Sequence, residues 1–118
     1  MTDRSSPLEP VALKPADFHI LLVLSEGNLH GYGLMKQVEE QSQGRVRLEV
    51  GSLYRLIDRL RSQGLIERAG EEDGDSRRRD YRITGRGRAT LELEVERLRE
   101  VAALLREKRL FGPGEGSR

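Results

Sequence analysis

The chain contains no cysteine, which removes disulfides, thiolate catalysis and cysteine-ligated zinc together. Its only two histidines, His19 and His30, have no carboxylate or cysteine neighbours at metal-ligand spacing, so ordinary packing or surface positions are expected and no cofactor or metal is implied. The longest apolar run, Ile20-Leu21-Leu22-Val23-Leu24, falls far short of the roughly 18 residues that span a bilayer. The opening Met1-Thr2-Asp3-Arg4-Ser5-Ser6-Pro7 lacks the apolar core of a signal peptide. A cytoplasmic protein with no membrane partner is the expectation. There is no phosphate-cradling glycine loop and no nucleophile beside a base. The neighbouring carboxylates Glu71 and Glu72 sit in a polar stretch where no burial would prepare either for acid catalysis. Nothing here supports an enzyme.

What the chain does have is length for one domain, 118 residues, and a charge that is unevenly spread. The formal net charge is only +1, yet residues 1–44 hold 3 Lys and Arg against 6 Asp and Glu, residues 45–88 hold 12 against 8, and residues 89–111 hold 5 against 5. Phosphates respond to the nearby field while distant exposed charges are screened, so a basic middle third suits a nucleic-acid face that the total conceals.

The stretch from Val50 to Gly64 carries that face. Leu53, Leu56, Ile57 and Leu60 fall at i, i+3, i+4 and i+7 and make one buried helical stripe. Arg55 and Ser62 point away from it, with Ser52 and Arg59 on one shoulder and Tyr54 and Arg61 on the other. Ser52 is a candidate N-cap or first-turn residue, and Gly64 is a stop. A helix with one apolar stripe and an arginine-rich outer face suits a DNA major groove. Tyr54 is equally readable as a tyrosine packed at the edge of the core.

Before it, Pro15 opens an almost wholly apolar helix that ends by Gly27, and Gly31 opens a second with Tyr32, Met35 and Val38 on one face, running to about Gln43. Arg45-Val46-Arg47-Leu48-Glu49-Val50 alternates with period two, as a short strand or an extended connection would. Two helices in this order form a helix-turn-helix. After it, Leu65–Ala69 and Asp80–Thr84 predict two strands around the turn signal Asp73-Gly74. That ribbon is a wing whose Arg77, Arg78 and Arg79 would neutralise phosphates or enter a minor groove. Its arginines could equally be balancing Glu71, Glu72, Asp73 and Asp75.

Thr84 is a fitting cap for a last helix from about Arg86 to Leu110. Leu91, Val95, Leu98, Ala102 and Leu105 recur at 4, 3, 4 and 3, the seam of a coiled coil, and Val101 and Leu104 widen it. About 25 residues make about 37 Å of helix, more than a small domain covers, so a homodimer seam is expected. The alternative is a helix folded back on Phe18 and Ile20. Gly85 and Gly87 suggest either a flexible joint or an eased turn. The fold class is thus mainly α with a small β-hairpin: a tail over 1–13, a winged helix-turn-helix over 14–84, a dimerisation helix over 85–111 and a second tail over 112–118.

Three blocks, Leu29-His30-Gly31-Tyr32-Gly33-Leu34, Gly51-Ser52-Leu53-Tyr54-Arg55-Leu56 with Gly64-Leu65-Ile66, and Arg78-Arg79-Asp80-Tyr81-Arg82-Ile83-Thr84-Gly85-Arg86-Gly87, resemble in order and spacing the PadR family of bacterial transcriptional regulators. The resemblance implies a homodimeric winged-helix repressor, released by a small molecule or stress signal, that binds a pseudo-palindromic operator in double-stranded DNA. The single last helix is similar to the short branch of that family. Ser52, Tyr54 and Arg55 match the start of its recognition helix, and Arg77 to Arg79 its wing. Val50 stands where members often have proline, and Asp80 where they often have a basic residue. Some members hold flat aromatic drugs between aromatic side chains at the dimer centre; this chain has no Trp, and its last helix has no aromatic before Phe111, so that ligand mode does not transfer. Other readings are a winged-helix module that binds protein with the same face and a regulator of a MarR-like family. The first has no need to align Arg55, Arg59 and the triple arginine, and the second would bring a longer N-terminal helical element.

Overall fold

Pro15 sits in the first turn of α1 (Pro15–Leu24), where its missing N–H costs nothing. The helix is nearly apolar all round, and it is accordingly the centre of the molecule, packed on α2 (Gly31–Gln41), on α4 (Gly85–Glu107) and on strand β3 (Asp80–Ile83). The computed structural model describes residues 13–69 and 80–110. Apart from Leu13, which packs partly on the core, the expected tails lie outside these residues, as does the tip of the wing with Arg77, Arg78 and Arg79. The remaining elements are β1 (Leu29–His30), α3 (Val50–Ser62) and β2 (Ile66–Ala69).

The core joins Ile20, Leu21, Leu24, Leu34, Val38, Leu53, Leu56, Ile57, Leu60 and Ile66 with Leu65, Tyr81 and Leu91. All four apolar residues of the expected α3 stripe are therefore inside. On α2 the buried face is Gly31, Leu34 and Val38, not Tyr32, Met35 and Val38. Tyr32 stands in the first turn, beyond the cover of α1, and is 64% exposed, while Met35 is half-buried at the edge. His19 lies on the same contact: its Nδ1 is 2.7 Å from Gln41 Nε2, a packing role across α1 and α2.

Between α2 and α3 the chain is extended but unpaired among the described residues. Arg45, Arg47 and Glu49 face out while Val46 and Leu48 pack partly on the core, so the period of two is that of a connection. Ser42 Oγ holds its start by accepting from the Val46 N–H at 2.9 Å. The ribbon has three strands, not two, in the order β1-β3-β2 and antiparallel throughout. Leu29 lies opposite Tyr81 and His30 opposite Asp80. Two residues are too few for alternation to show, which is why this strand is invisible in the sequence.

The turn after α3 and the start of α4 are one structure. Gly64 takes φ +76°, the left-handed conformation that glycine adopts without strain, and Leu65 N–H closes the helix on the Leu60 carbonyl at 3.0 Å. Thr84 Oγ1 accepts from Gly87 N–H at 2.9 Å, capping α4, and donates to the Gly64 carbonyl at 2.6 Å. Thr84 N–H donates to the Leu65 carbonyl at 3.1 Å. A Cβ on Gly87 would run into that same carbonyl oxygen and come within 2.9 Å of Ile83 Cγ1. Gly87 thus permits close packing and is no source of freedom. Gly85 has open space around it.

Along α4 the environment changes midway. Gly87, Thr90, Leu91 and Glu94 are buried against the domain. Beyond Glu94 the same side of the helix carries Leu98 and Val101, both exposed, and the half-buried Leu105; Leu104 beside them is exposed as well. The two sequence expectations for this helix thus divide between its halves. Its first half folds onto its own core and its second projects.

Candidate nucleic-acid interface

Helix α3 begins at Val50 because Glu49 is its N-cap, one turn before the expected Ser52. Ser52 instead occupies the third helical position and closes part of a capping box, its Oγ accepting from Glu49 N–H at 3.2 Å and lying 3.1 Å from the Glu49 carbonyl. Its hydroxyl is turned to its own chain. Val50 stands at the first helical position, where proline is tolerated because the N–H has no helical partner, so its place in the family pattern leaves the start of the helix intact.

Tyr54 is both packed and exposed. Its hydroxyl occupies the space where a Cβ on Gly31 would be, with Cζ 2.9 Å from that point, so the ring lies across the first turn of α2. One side of it remains open, and the residue is 41% exposed. Contact of this kind fixes the separation of the two helix tips. Arg55 is exposed and makes no ion pair among the described residues. Its Nη1 lies 3.8 Å from the position a Cβ on Gly51 would take, so the guanidinium rests above the first turn of α3. Asp58 and Arg61 are exposed too, and no ion pair ties Asp58 to Arg55 or Arg61.

Arg59 has a different position from the one expected of a groove contact. Its Nη2 lies 2.6 Å from Oδ1 of Asp17 on α1. Asp17 is buried, and a buried carboxylate needs a paired, hydrogen-bonded cation. The bond ties the recognition-type helix to the central one, between residues 42 apart in sequence. No local pattern could have disclosed it. At the wing, Glu67 and Arg82 face each other across β2 and β3 and pair at 2.7 Å on the surface.

The expected dimer seam is split by the projection of α4. Leu91 is 5% exposed and belongs to the protomer's own core. Val95, Ala102 and Leu105 are half-buried, and Leu98 is exposed. At the division sits Glu94, buried and gripped by Arg97 through Nε to Oε1 at 3.1 Å and Nη2 to Oε2 at 2.6 Å. The hydrogen bonds from Arg97 hold the Glu94 carboxyl below the usual glutamate range, overriding the upward push of burial.

No helix among the described residues is long and apolar enough to cross a membrane. Comparison with known proteins places the architecture. The model of the PadR-like family of transcriptional regulators matches residues 20–93. The transcriptional regulator YqjI of Escherichia coli is 34% identical over 79 residues, 67% of this chain and 37% of that protein. An uncharacterised 37.1 kDa transposon protein of Streptomyces fradiae is 39% identical over 80 residues, 68% of this chain and 22% of that protein. The chain therefore matches less than half the length of either curated relative. Among solved structures, a PadR family transcription regulator from Clostridium difficile is similar with a TM-score of 0.67 and 25% identity, over 80% of this chain and 97% of that one. The family and this structural neighbour are transcriptional regulators and not enzymes, and with the matched family model running from within α1 to the first half of α4, the chain belongs to the PadR-like family of transcriptional regulators.

Proposed function

We propose that the chain is a homodimeric, sequence-specific DNA-binding repressor. Its α3 reads the major groove through its N-terminal half, and α4 holds two protomers at a fixed separation. The observation that carries this reading is the outer face of α3, where Arg55 stands exposed without an ion-pair partner among the described residues on a helix anchored from behind by four buried residues. Guanidinium groups so placed pair bidentately with guanine. Ser52 acts by setting the start of the helix and Tyr54 by fixing its tip, and Arg59 contributes by holding its angle through Asp17. Arg77, Arg78 and Arg79 supply phosphate or minor-groove contacts from the wing. The exposed Leu98 and Val101 with Leu105 favour a two-fold partner, since apolar surface on a projecting helix gains from burial. Half-sites then lie near one helical turn, ~34 Å, apart. An effector acts on the separation of the two readers, lowering affinity with no contact to DNA.

The test is selection of bound fragments from a random DNA pool at stated salt, followed by affinity measurement. The expected result is a two-fold related motif whose binding falls with salt. Equal binding to every fragment, by parent and Arg55→Ala alike, would remove α3 as a reader. A screen of metabolites and drugs that never changes operator affinity would remove the effector.

A further inference from the structure

Exposed apolar side chains scattered singly are ordinary. Here the large ones are gathered in two places, along α4 and just beyond it, and at the tips of α2 and α3, where Tyr32, Val50 and Tyr54 are all exposed. Val50 is the least explained of them. It is 61% exposed, it caps nothing, and it belongs to no part of the core. Tyr54 lies one turn along the same helix, at i+4, the spacing at which helical side chains adjoin. The Tyr54 ring is held in place by its packing on Gly31. Val50 therefore stands beside an immobilised aromatic ring, at the leading end of the helix that carries Arg55.

We propose that Val50, with the edge of the Tyr54 ring beside it, forms a rigid apolar ledge that receives the 5-methyl group of one thymine in each half-site. This rests on the reading of α3 as the helix in the major groove. The chemistry selects the occupant. In the major groove the base edges present hydrogen-bonding groups, and the thymine methyl is the one alkyl group among them. A branched aliphatic side chain with no polar atom can gain from that group alone. Continuity with Arg55 on the next turn puts a guanidinium next to the ledge, which fits a polyanionic duplex and not an apolar protein surface. Gly51 between them has only Arg55 near the position of its absent side chain, leaving the backbone of this turn open to close approach.

The test uses the full chain and the duplex it selects. Each thymine is replaced by deoxyuridine, one position per half-site at a time, which deletes the methyl and leaves base pairing unchanged. The parent is expected to show one position at which binding falls about fourfold per half-site, the equivalent of ~0.8 kcal/mol for one buried methyl-sized group. In Val50→Ala that penalty disappears at that position while any penalty elsewhere is retained, and in Val50→Ile it persists. Val50 is exposed, so melting temperatures of both variants should match the parent and exclude misfolding. A parent that binds every uridine duplex as well as its thymine counterpart, or a Val50→Ala variant with the parent's full penalty, overturns the ledge and leaves Arg55 reading untouched. A chain that selects no duplex at all overturns the DNA-binding reading and the ledge with it.

Discussion

Both the tips of α2 and α3 and the outer half of α4 expose apolar side chains, but they do so under opposite mechanical conditions. At the tips exposure is mixed with short contacts: Tyr54 rests on Gly31, Ser52 bonds to Glu49 and, a turn or two behind, Arg59 pairs with Asp17. Beyond Glu94 no described residue of α4 is fully buried, and its large exposed apolar residues are leucine and valine. Rigid exposure mixed with cations suits recognition of a fixed pattern. Exposure along a free helix suits a partner that completes the burial.

The largest expected effect breaks the second region. Leu98→Glu with Leu105→Glu should turn the proposed dimer into a folded monomer and lower operator affinity by about a hundredfold or more, since four leucines per dimer at ~1.5–3 kcal/mol each would be withdrawn from burial. Sedimentation decides it: a parent chain that is monomeric at micromolar concentration, or a double variant that stays dimeric, would erase the contrast between the regions.

Next is the joint between them. Gly87→Ala drives a methyl into the Leu65 carbonyl and should cost about 1–3 kcal/mol or more of stability, whereas Gly85→Ala, with free space and a helical position, should be neutral or stabilising by up to ~1 kcal/mol. Equal melting temperatures for the two variants would restore the flexible-joint reading. Within the tip, Arg59→Ala leaves the Asp17 carboxylate buried and unpaired, so it should lower stability by about 1–3 kcal/mol. Arg55→Ala should lower only operator affinity, by about 1–3 kcal/mol, with its melting unchanged. An Arg59→Ala protein as stable as the parent would make Arg59 a free contact like Arg55.

The smallest effect concerns acid. Because Glu94 is held below its ordinary pKa, the stability it contributes is fully present above the pKa of an unfolded glutamate and is lost as pH falls through the lower folded value. Denaturation midpoints measured through that acid window should fall less steeply for Glu94→Gln than for the parent. Identical slopes would show that the Arg97 pair does nothing at the point where α4 leaves the domain.

Much of this was legible beforehand, for reasons particular residues make clear. The α3 stripe, Pro15, Gly64 and Thr84 each act through neighbours a few positions away, and such patterns survive in one dimension. The Arg59 pair with Asp17, the packing of Tyr54 on Gly31 and the contact of Gly87 with Leu65 join distant positions, and nothing local announces them. Leu91 illustrates a related cause: its heptad spacing is the same as that of Leu98 and Leu105, and only tertiary packing places it in the protomer's own core.

Thr84 has a geometric consequence for the assembled molecule. A single hydroxyl spans the end of α3 and the start of α4, so in the proposed two-fold dimer each reader and its arm would move as one body. The 23 residues of α4 make a lever of about 34 Å, and a swing of only ~5° at its far end moves the opposite tip by ~3 Å, close to the rise of one base pair. In the proposed dimer, small rearrangements among the leucines of the seam would thereby be converted into steps of the size by which one operator spacing differs from the next.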